Sequence, residues 1–187
     1  MKPVTHSDMQ EDLERVLFEE STILRRIDEL AATITGEYQG RELTVIAVLN
    51  GSLIFAADLL RRIPLPLKLD CLSVASYHGG TTTTGSVVFK QIILPDIAGR
   101  HILILDDILD SGLTLNAIRR RLEEANPLSI KVCVLLEKRI VRAAPVEADY
   151  VAFQIGNEFV VGYGLDYLER YRNLPCIGVL RPDMITA

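Results

Sequence analysis

Short apolar runs, each followed by a turn and an amphipathic helix, are the feature that most constrains the fold of this chain. The run "LTVIAVL" at Leu43–Leu49 leads through Asn50 and Gly51 into a helical stretch over residues 53–62. The run "HILIL" opens a second unit, whose helix is predicted over residues 113–125. Strands that are apolar throughout are typical of parallel sheets buried on both faces. We therefore expect an α/β domain with a mostly parallel central sheet flanked by helices.

The remaining segments extend this pattern, with one exception. Apolar residues at helical spacing predict a helix at Glu20–Tyr38, and the segments "LKLDCLSVASY", "SIKVCVLLEK" and "YVAFQI" predict three more strands. The exception is "YHGGTTTTGSVV", residues 77–88, which is rich in glycine and threonine between flanks that resemble strands. Two interpretations stay open for it: a plain exposed hairpin, or a loop that closes over a ligand.

Composition narrows the class of protein. A chain of 187 residues that is 49% hydrophobic suits one domain with a sizeable core. The net charge is −5 and the longest basic block, residues 119–121, has three arginines, so we expect no nucleic-acid partner. No apolar run approaches the roughly 20 residues that span a bilayer, and the first residues lack a secretory signal, so we expect no membrane association and a cytoplasmic location. Cys71, Cys133 and Cys176 are expected to be reduced, buried thiols.

The stretch "HILILDDILDSGLTL", residues 101–115, carries the strongest functional signal. It sets Asp106, Asp107 and Asp110 against an apolar strand, where uncompensated charge destabilises the fold. One alternative is that Asp107 and Asp110 only cap the following helix, a favourable interaction of about 0.3–1 kcal/mol. That alternative leaves Asp106 unexplained, so we expect a ligand to supply the missing partners.

The residues after these carboxylates indicate which ligand. Ser111, Gly112, Leu113 and Thr114 form a turn at the predicted start of a helix, where free amides bind anions such as a phosphate monoester. No lysine follows as in a Walker loop. The carboxylates before the turn suit sugar hydroxyls or a hydrated Mg²⁺. A sugar phosphate with a magnesium-bound diphosphate would satisfy both demands.

This stretch resembles the phosphoribosyl diphosphate (PRPP) binding motif of type I phosphoribosyltransferases. The segments "VLNGSLIFAADLLRRI", "SYHGGTTTTGSV", "LLEKR" and "NEFVVGYGLDYLERYRNLPCIGVL" resemble the hypoxanthine-guanine members of that class, so the resemblance covers about residues 20–180. It implies the type I phosphoribosyltransferase fold in a single domain, residues 1–187. The core would span about residues 40–150, and a small hood would be built from about residues 1–20 and 151–187.

The resemblance also implies roles for individual residues. Asp106 and Asp107 would hold the ribose hydroxyls and magnesium, Asp110 would act as the general base near N7 of the purine, and residues 111–114 would bind the 5′-phosphate. The purine would contact Lys138 at O6, the ring of Phe159, and the backbone of Val160. Glu158 and Asp166 would also lie at the purine, and Asp166 would lie near a second magnesium. The pyrophosphate would be bound by Asn50, Gly51, Ser76, Tyr77 and Arg172.

Elementary chemistry bears on two of these roles. An ammonium at Lys138 favours a carbonyl at position 6 and opposes an amino group, which predicts 6-oxopurines over adenine. Taken alone, Lys138 would be interpreted as a solvated strand end and Phe159 as a core residue.

Tyr163, Tyr167 and Tyr171, spaced four apart, are interpreted as packing residues. Asn50 stands where the family often has a basic residue, and Asp106 where a glutamate is commoner.

The resemblance therefore implies a magnesium-dependent transferase that moves 5-phosphoribosyl from PRPP to N9 of hypoxanthine or guanine. Three alternatives are weighed: transfer to xanthine or a pyrimidine, a non-catalytic PRPP or nucleotide sensor, and a general phosphate-binding or carbohydrate-binding module. A sensor needs neither Asp110 nor the loop at Ser76 and Tyr77, and a general module would leave Lys138 unused. A homodimer or homotetramer is the assembly that the resemblance implies.

Overall fold

The computed structural model describes residues 9–76, 87–89 and 96–185, and every structural statement below concerns these residues. They include nine strands, three α-helices and a short 3₁₀ helix at Pro182–Met184, and Met9 and Gln10 are also helical. The helices are α1 (Glu20–Tyr38), α2 (Leu53–Leu60) and α3 (Leu113–Glu123). The strands are β1 (Leu13–Phe18), β2 (Leu43–Leu49), β3 (Leu67–Ser76), β4 (Val87–Phe89), β5 (His101–Leu109), β6 (Ser129–Lys138), β7 (Tyr150–Ile155), β8 (Val160–Val161) and β9 (Ile177–Leu180).

Six strands form the central sheet, in the order β4-β3-β2-β5-β6-β7. Five of them are parallel, and β4 runs antiparallel to the end of β3. The central strands β2 and β5 have mostly apolar, buried residues, since both faces of the sheet are covered, and the two aspartates of β5 lie toward its carboxyl end. The predicted α/β fold with a mostly parallel sheet is confirmed.

Alternate residues of β5 point to two different cores. Leu103 and Leu105 belong to the cluster that α1 and α2 cover, whereas Ile102 and Ile104 belong to the cluster that α3 covers. Helix α1 packs its apolar stripe, which includes Ile27, onto the first of these faces. Alternate residues of the strand thus lie on opposite faces of the sheet, and each face is covered by the apolar stripe of a helix, as expected for a sheet between two helical layers.

A second, smaller sheet consists of β1, β9 and β8, all antiparallel. It joins the two ends of the chain, because Leu13 pairs with Leu180 and Phe18 with Ile177. It has a core of its own that includes Val161 and Leu174. Hereafter the hood means this sheet together with the segment between β8 and β9.

The structure differs from the sequence predictions at several boundaries. Strand β7, which the predicted limits placed in the hood, pairs with β6 in the central sheet. Strand β5 continues to Leu109, because β6 pairs with it as far as Glu137, so Asp106 and Asp107 lie within a strand. The hood strands β1, β8 and β9 were not predicted. The predicted ends of α2 and α3 are each two residues too late.

Two further structural findings concern the cysteines and the helices. All three cysteines are unpaired thiols, with Cys133 and Cys176 buried and Cys71 partly buried. Among the described residues, no helix combines the length and the apolar character needed to cross a membrane.

Candidate active site

The predicted site residues collect at one edge of the central sheet. Asn50 and Gly51 follow β2, Asp110 follows β5, Lys138 ends β6 and Ser76 ends β3. Because these strands are parallel, their carboxyl ends meet at the same edge, which is where α/β proteins bind ligands. Tyr77, the other predicted loop residue, lies outside the described residues.

The two adjacent aspartates of β5 are held by the backbone. Asp106 is 7% exposed and its Oδ1 accepts a hydrogen bond from the Asp107 amide at 3.0 Å. Asp107 Oδ1 accepts one from the Ile108 amide at 2.9 Å. Burial, followed by the charge of Asp107, raises the pKa of Asp106 well above its ordinary value. Burial also raises the pKa of Asp107, while the charge of Arg172 opposes that rise.

We expect Asp106→Asn to stabilise the fold while it impairs function. The unfolded chain releases its proton near the ordinary pKa of about 3.9, whereas folded Asp106 keeps its proton to higher pH. Stability is therefore lost as pH rises through the folded pKa, and an amide removes this dependence. Gains at such sites are typically about 0.5–2 kcal/mol. Each kcal/mol corresponds to roughly 2–4 °C in Tm for a chain of this size.

Thermal unfolding measured across pH 4–8 in chelator tests this expectation. The exposed Asp96→Asn is the matched control, with an expected change below about 0.5 kcal/mol. A Tm for Asp106→Asn at or below that of the wild type at pH 7 would contradict the prediction.

The turn after β5 presents backbone amides at the start of α3. Gly112 caps the helix with φ of 78°, a left-handed conformation that glycine adopts readily. Because this residue has no side chain, the first amides of the helix, at Leu113 and Thr114, stay available to an anion. Ser111 Oγ lies 3.5 Å from the Leu113 amide and adds a hydroxyl to the same turn.

Asp110 and Lys138 form an ion pair across the two strand ends. Lys138 Nζ lies 2.8 Å from Asp110 Oδ2. The side chain of Asp110 is 47% exposed, whereas that of Lys138 is 12% exposed. Parallel pairing brings them together, since Leu109 stands opposite Glu137 in the sheet. A ligand can therefore reach the carboxylate from solvent, whereas the lysine is largely covered.

The loop after β2 contacts both the acidic strand and the hood. A Cβ atom at Gly51 would stand 1.7 Å from Asp107 Oδ2, so any larger residue there would displace that carboxylate or the loop. A Cβ at Gly164, whose φ is 104°, would stand 2.1 Å from the carbonyl oxygen of Gly51. Arg172 Nη1 donates to the carbonyl of Gly164 at 2.8 Å. The Leu49–Asn50 peptide bond, at the start of this loop, is cis.

Asp166 and Arg172 lie together in the hood. Arg172 Nη2 is 2.8 Å from Asp166 Oδ1, and Asp166 Oδ2 accepts a hydrogen bond from the Glu169 amide at 2.9 Å. Within the described part of the chain, no three His, Cys, Asp or Glu side chains converge to hold a metal ion. Asp106 and Asp107 therefore do not share a three-carboxylate cluster with Asp166.

The hood presents one aromatic ring to the surface. Phe159 is 44% exposed. Its ring and that of Tyr167 form a T-shaped pair, with 5.6 Å between the centroids and 87° between the planes. Val160, next to it, is buried in β8. Glu158 Oε1 is held by Arg15 Nη2 at 3.1 Å. An exposed ring fixed by a second aromatic suits stacking against a flat ligand.

Sequence reasoning missed two contributors to this arrangement. Tyr167 was interpreted as a packing residue and does pack in the hood, but its contact with the ring of Phe159 was not predicted. The close approach of Gly164 to the backbone of Gly51 was not predicted either. The glycine repeat in "VGYGLD" was the available signal for such a close approach.

Comparisons with known proteins agree with this geometry. The family model of the phosphoribosyl transferase domain matches residues 17–168. The hypoxanthine-guanine phosphoribosyltransferase of Streptococcus pneumoniae strain R6 is 42% identical over 94% of this chain and 98% of its own length.

Two solved structures are similarly close. The crystal structure of a hypoxanthine phosphoribosyltransferase from Staphylococcus aureus superposes with a TM-score of 0.92 at 42% identity, covering 98% of this chain and 100% of that one. A ternary substrates complex of the Trypanosoma cruzi enzyme, a K68R mutant, has a TM-score of 0.86 at 42% identity, covering 92% and 98%. The chain therefore belongs to the phosphoribosyltransferase family, among the hypoxanthine-guanine phosphoribosyltransferases.

Proposed function

We propose that this protein transfers the 5-phosphoribosyl group of PRPP to N9 of hypoxanthine or guanine, with release of pyrophosphate, and so serves purine salvage. The observation that carries the proposal is the ion pair between Asp110 and Lys138, 2.8 Å apart beside the turn that opens α3. This ion pair sets two groups beside a phosphate-binding turn: a carboxylate that can accept a proton, and an ammonium that can donate a hydrogen bond to a carbonyl.

The sugar phosphate would occupy the edge of the sheet at β5. The amides at the start of α3 and the hydroxyls of Ser111 and Thr114 would bind the 5′-phosphate. The carboxylates of Asp106 and Asp107 would accept hydrogen bonds from the ribose hydroxyls. This would give further partners to two adjacent carboxyl groups that otherwise bond only to the backbone and to each other.

The purine would lie between the ion pair and the hood. Lys138 would donate to O6, Phe159 would stack on the ring, and Val160 would contact its edge through the backbone. Asp110 would take up the proton at N7 as N9 forms its bond to C1′. Glu158 and Asp166 would complete the purine side from the hood.

Magnesium fits the residues present. Asp106 and Asp107 supply two adjacent carboxylates at β5, hard oxygen ligands that suit Mg²⁺. That ion is commonly bound through one or two carboxylates plus substrate phosphates. Asp106 and Asp107 would hold one ion, and Asp166 would stand near a second. When bound, the metal would neutralise charge on the diphosphate.

The pyrophosphate would lie between the loop after β2 and the hood. The amides near Asn50 and Gly51 would bind it, Arg172 would neutralise its charge, and Ser76 and Tyr77 would approach from the adjoining loop. Arg172 is already fixed by Asp166 and the carbonyl of Gly164, so its guanidinium is oriented before a ligand arrives. We expect Asn50 to leave PRPP affinity weaker than a basic residue would.

Initial rates with PRPP, Mg²⁺ and one of four bases test the proposal. We expect nucleotide formation with hypoxanthine and guanine, and rates with adenine lower by roughly tenfold to more than a hundredfold, since a hydrogen bond to a charged group contributes about 1.5–3 kcal/mol. Xanthine, as the fourth base, defines the range of 6-oxopurines that are accepted. PRPP binding without nucleotide formation from any base would indicate a sensor instead.

We also propose a homodimer or homotetramer in the cytoplasm. The support for both is membership in the family. Sedimentation equilibrium of the purified chain distinguishes monomer, dimer and tetramer.

A further inference from the structure

The connection between β6 and β7, residues 139–149 and hereafter the strap, links two parts of the candidate site. It begins directly after Lys138 and reaches the phosphate-binding turn, where the Ala144 amide donates to the carbonyl of Ser111 at 3.2 Å. The carbonyl oxygen of Ala144 also lies 3.0 Å from the position that a Cβ at Gly112 would take. The position of the strap therefore affects the spacing between the lysine and the turn.

One arginine ties the strap back to β6. Arg142 Nη2 lies 2.5 Å from Glu137 Oε1 and 3.5 Å from the carbonyl oxygen of Lys138. The other carboxylate oxygen of Glu137 accepts from Gln154 Nε2 at 2.9 Å. The side chains of Glu137 and Arg142 are only 15% and 20% exposed. Water and salt screen such a pair far less than one on the surface.

Packing alone does not account for an arginine at this position. Arg142 Nε is buried and has no hydrogen-bond partner among the described residues. A buried donor without an acceptor is destabilising, and an apolar side chain would fill the same space without that penalty. Arg139, three residues earlier, is exposed and directs both Nε and Nη2 to Gln154 Oε1.

We propose that Arg142 is a positioning residue that acts through Glu137 to hold the strap, and thereby keeps the phosphate-binding turn at its working distance from Lys138. The inference rests on the proposed function, which assigns the turn and the lysine to opposite ends of one nucleotide. A purine nucleotide contacts both ends, so its binding depends on their spacing. Pyrophosphate contacts Gly51 and Arg172 instead, so its binding does not.

Titration calorimetry with the intact protein and Mg²⁺ tests this assignment, using inosine monophosphate and pyrophosphate as separate probes. In Arg142→Gln we expect the Kd for the nucleotide to rise by about ten- to a hundredfold, the scale of effect when a contacting group is misplaced by about 1 Å. The Kd for pyrophosphate should stay within about twofold, a difference below roughly 0.5 kcal/mol. The matched control Arg139→Gln should leave both values nearly unchanged, because Arg139 reaches Glu137 only through Gln154 and does not touch Arg142 or the turn.

Two further variants identify the cause of the change. Arg142→Lys keeps the positive charge beside Glu137, so it should restore most of the nucleotide affinity. Glu137→Gln keeps an acceptor oxygen, and it should show the same selective loss to a smaller degree, which serves if Arg142→Gln does not fold. An equal loss of both ligands would show general destabilisation and overturn the proposal, as would unchanged nucleotide affinity. A wild-type protein that binds no nucleotide would refute the proposed function itself, and this inference with it.

Discussion

Asp110→Asn is expected to lower kcat by about 10²–10⁴-fold while affinity for PRPP is retained. The amide cannot accept the purine proton, so the transition state loses its general base. The substitution preserves the size of a side chain that is 47% exposed, so the fold should be unaffected. Steady-state rates with hypoxanthine and PRPP measure the loss, and calorimetric titration with PRPP checks that the sugar-phosphate side is intact.

Lys138→Gln separates the role of the carboxylate from that of the ion pair. It breaks the same 2.8 Å contact but leaves Asp110 able to accept a proton. We expect this variant to lose purine affinity and preference for 6-oxopurines, with KM for the base rising more than kcat falls. If Asp110→Asn turned over as fast as the wild type, the assignment of the general base would be wrong.

Gly51→Ala is expected to reduce kcat/KM for PRPP by about 100-fold, the typical effect of misplacing a catalytic group by about 1 Å. Its Cβ would stand 1.7 Å from Asp107 Oδ2 and 2.5 Å from Cγ, so the carboxylate or the loop must move. The loop has little freedom to do so, because the carbonyl of Gly51 already lies against Gly164. Rates at varied PRPP and Mg²⁺ concentrations measure the effect.

Gly36→Ala is the matched control for that substitution. Gly36 lies within α1, and a Cβ there would meet no atom within 4 Å. We expect full activity and a gain in the free energy of unfolding of about 1 kcal/mol, the usual difference between glycine and alanine inside a helix. Normal kinetics of Gly51→Ala at a temperature where it is folded would show that the position of Asp107 is not critical for catalysis.

The elements that the sequence predicted well are those with a strong local pattern. The apolar runs of β2, β6 and β7 and the helical spacing of α1 matched the structure in their bounds. Of the missed strands, β8 and β9 are short, and β1 pairs with β9, which lies more than 150 residues further along the chain. Such pairing depends on contacts across the whole chain, for which a single window of sequence holds no periodic signal.

The features of the site were likewise predictable only where they depend on a local run of residues. The order of residues alone predicted a phosphate-binding turn after β5, since a Ser-Gly turn at a helix start exposes amides whatever the surroundings. It also predicted carboxylates at the end of a buried strand. It did not predict that Lys138 pairs with Asp110 or that Tyr167 supports Phe159. These contacts depend on which strands are neighbours and on the direction of each side chain.

What the sequence determined by itself was the α/β class, the parallel sheet and the types of group available at its edge, because hydrophobic period and turn chemistry act over a few residues. Only the tertiary structure decided which of those groups meet: Gly51 against Asp107, Gly164 against Gly51, and Arg142 against Glu137. The physical reason is that strand register and close backbone packing set these distances, and both arise from burial over the whole domain.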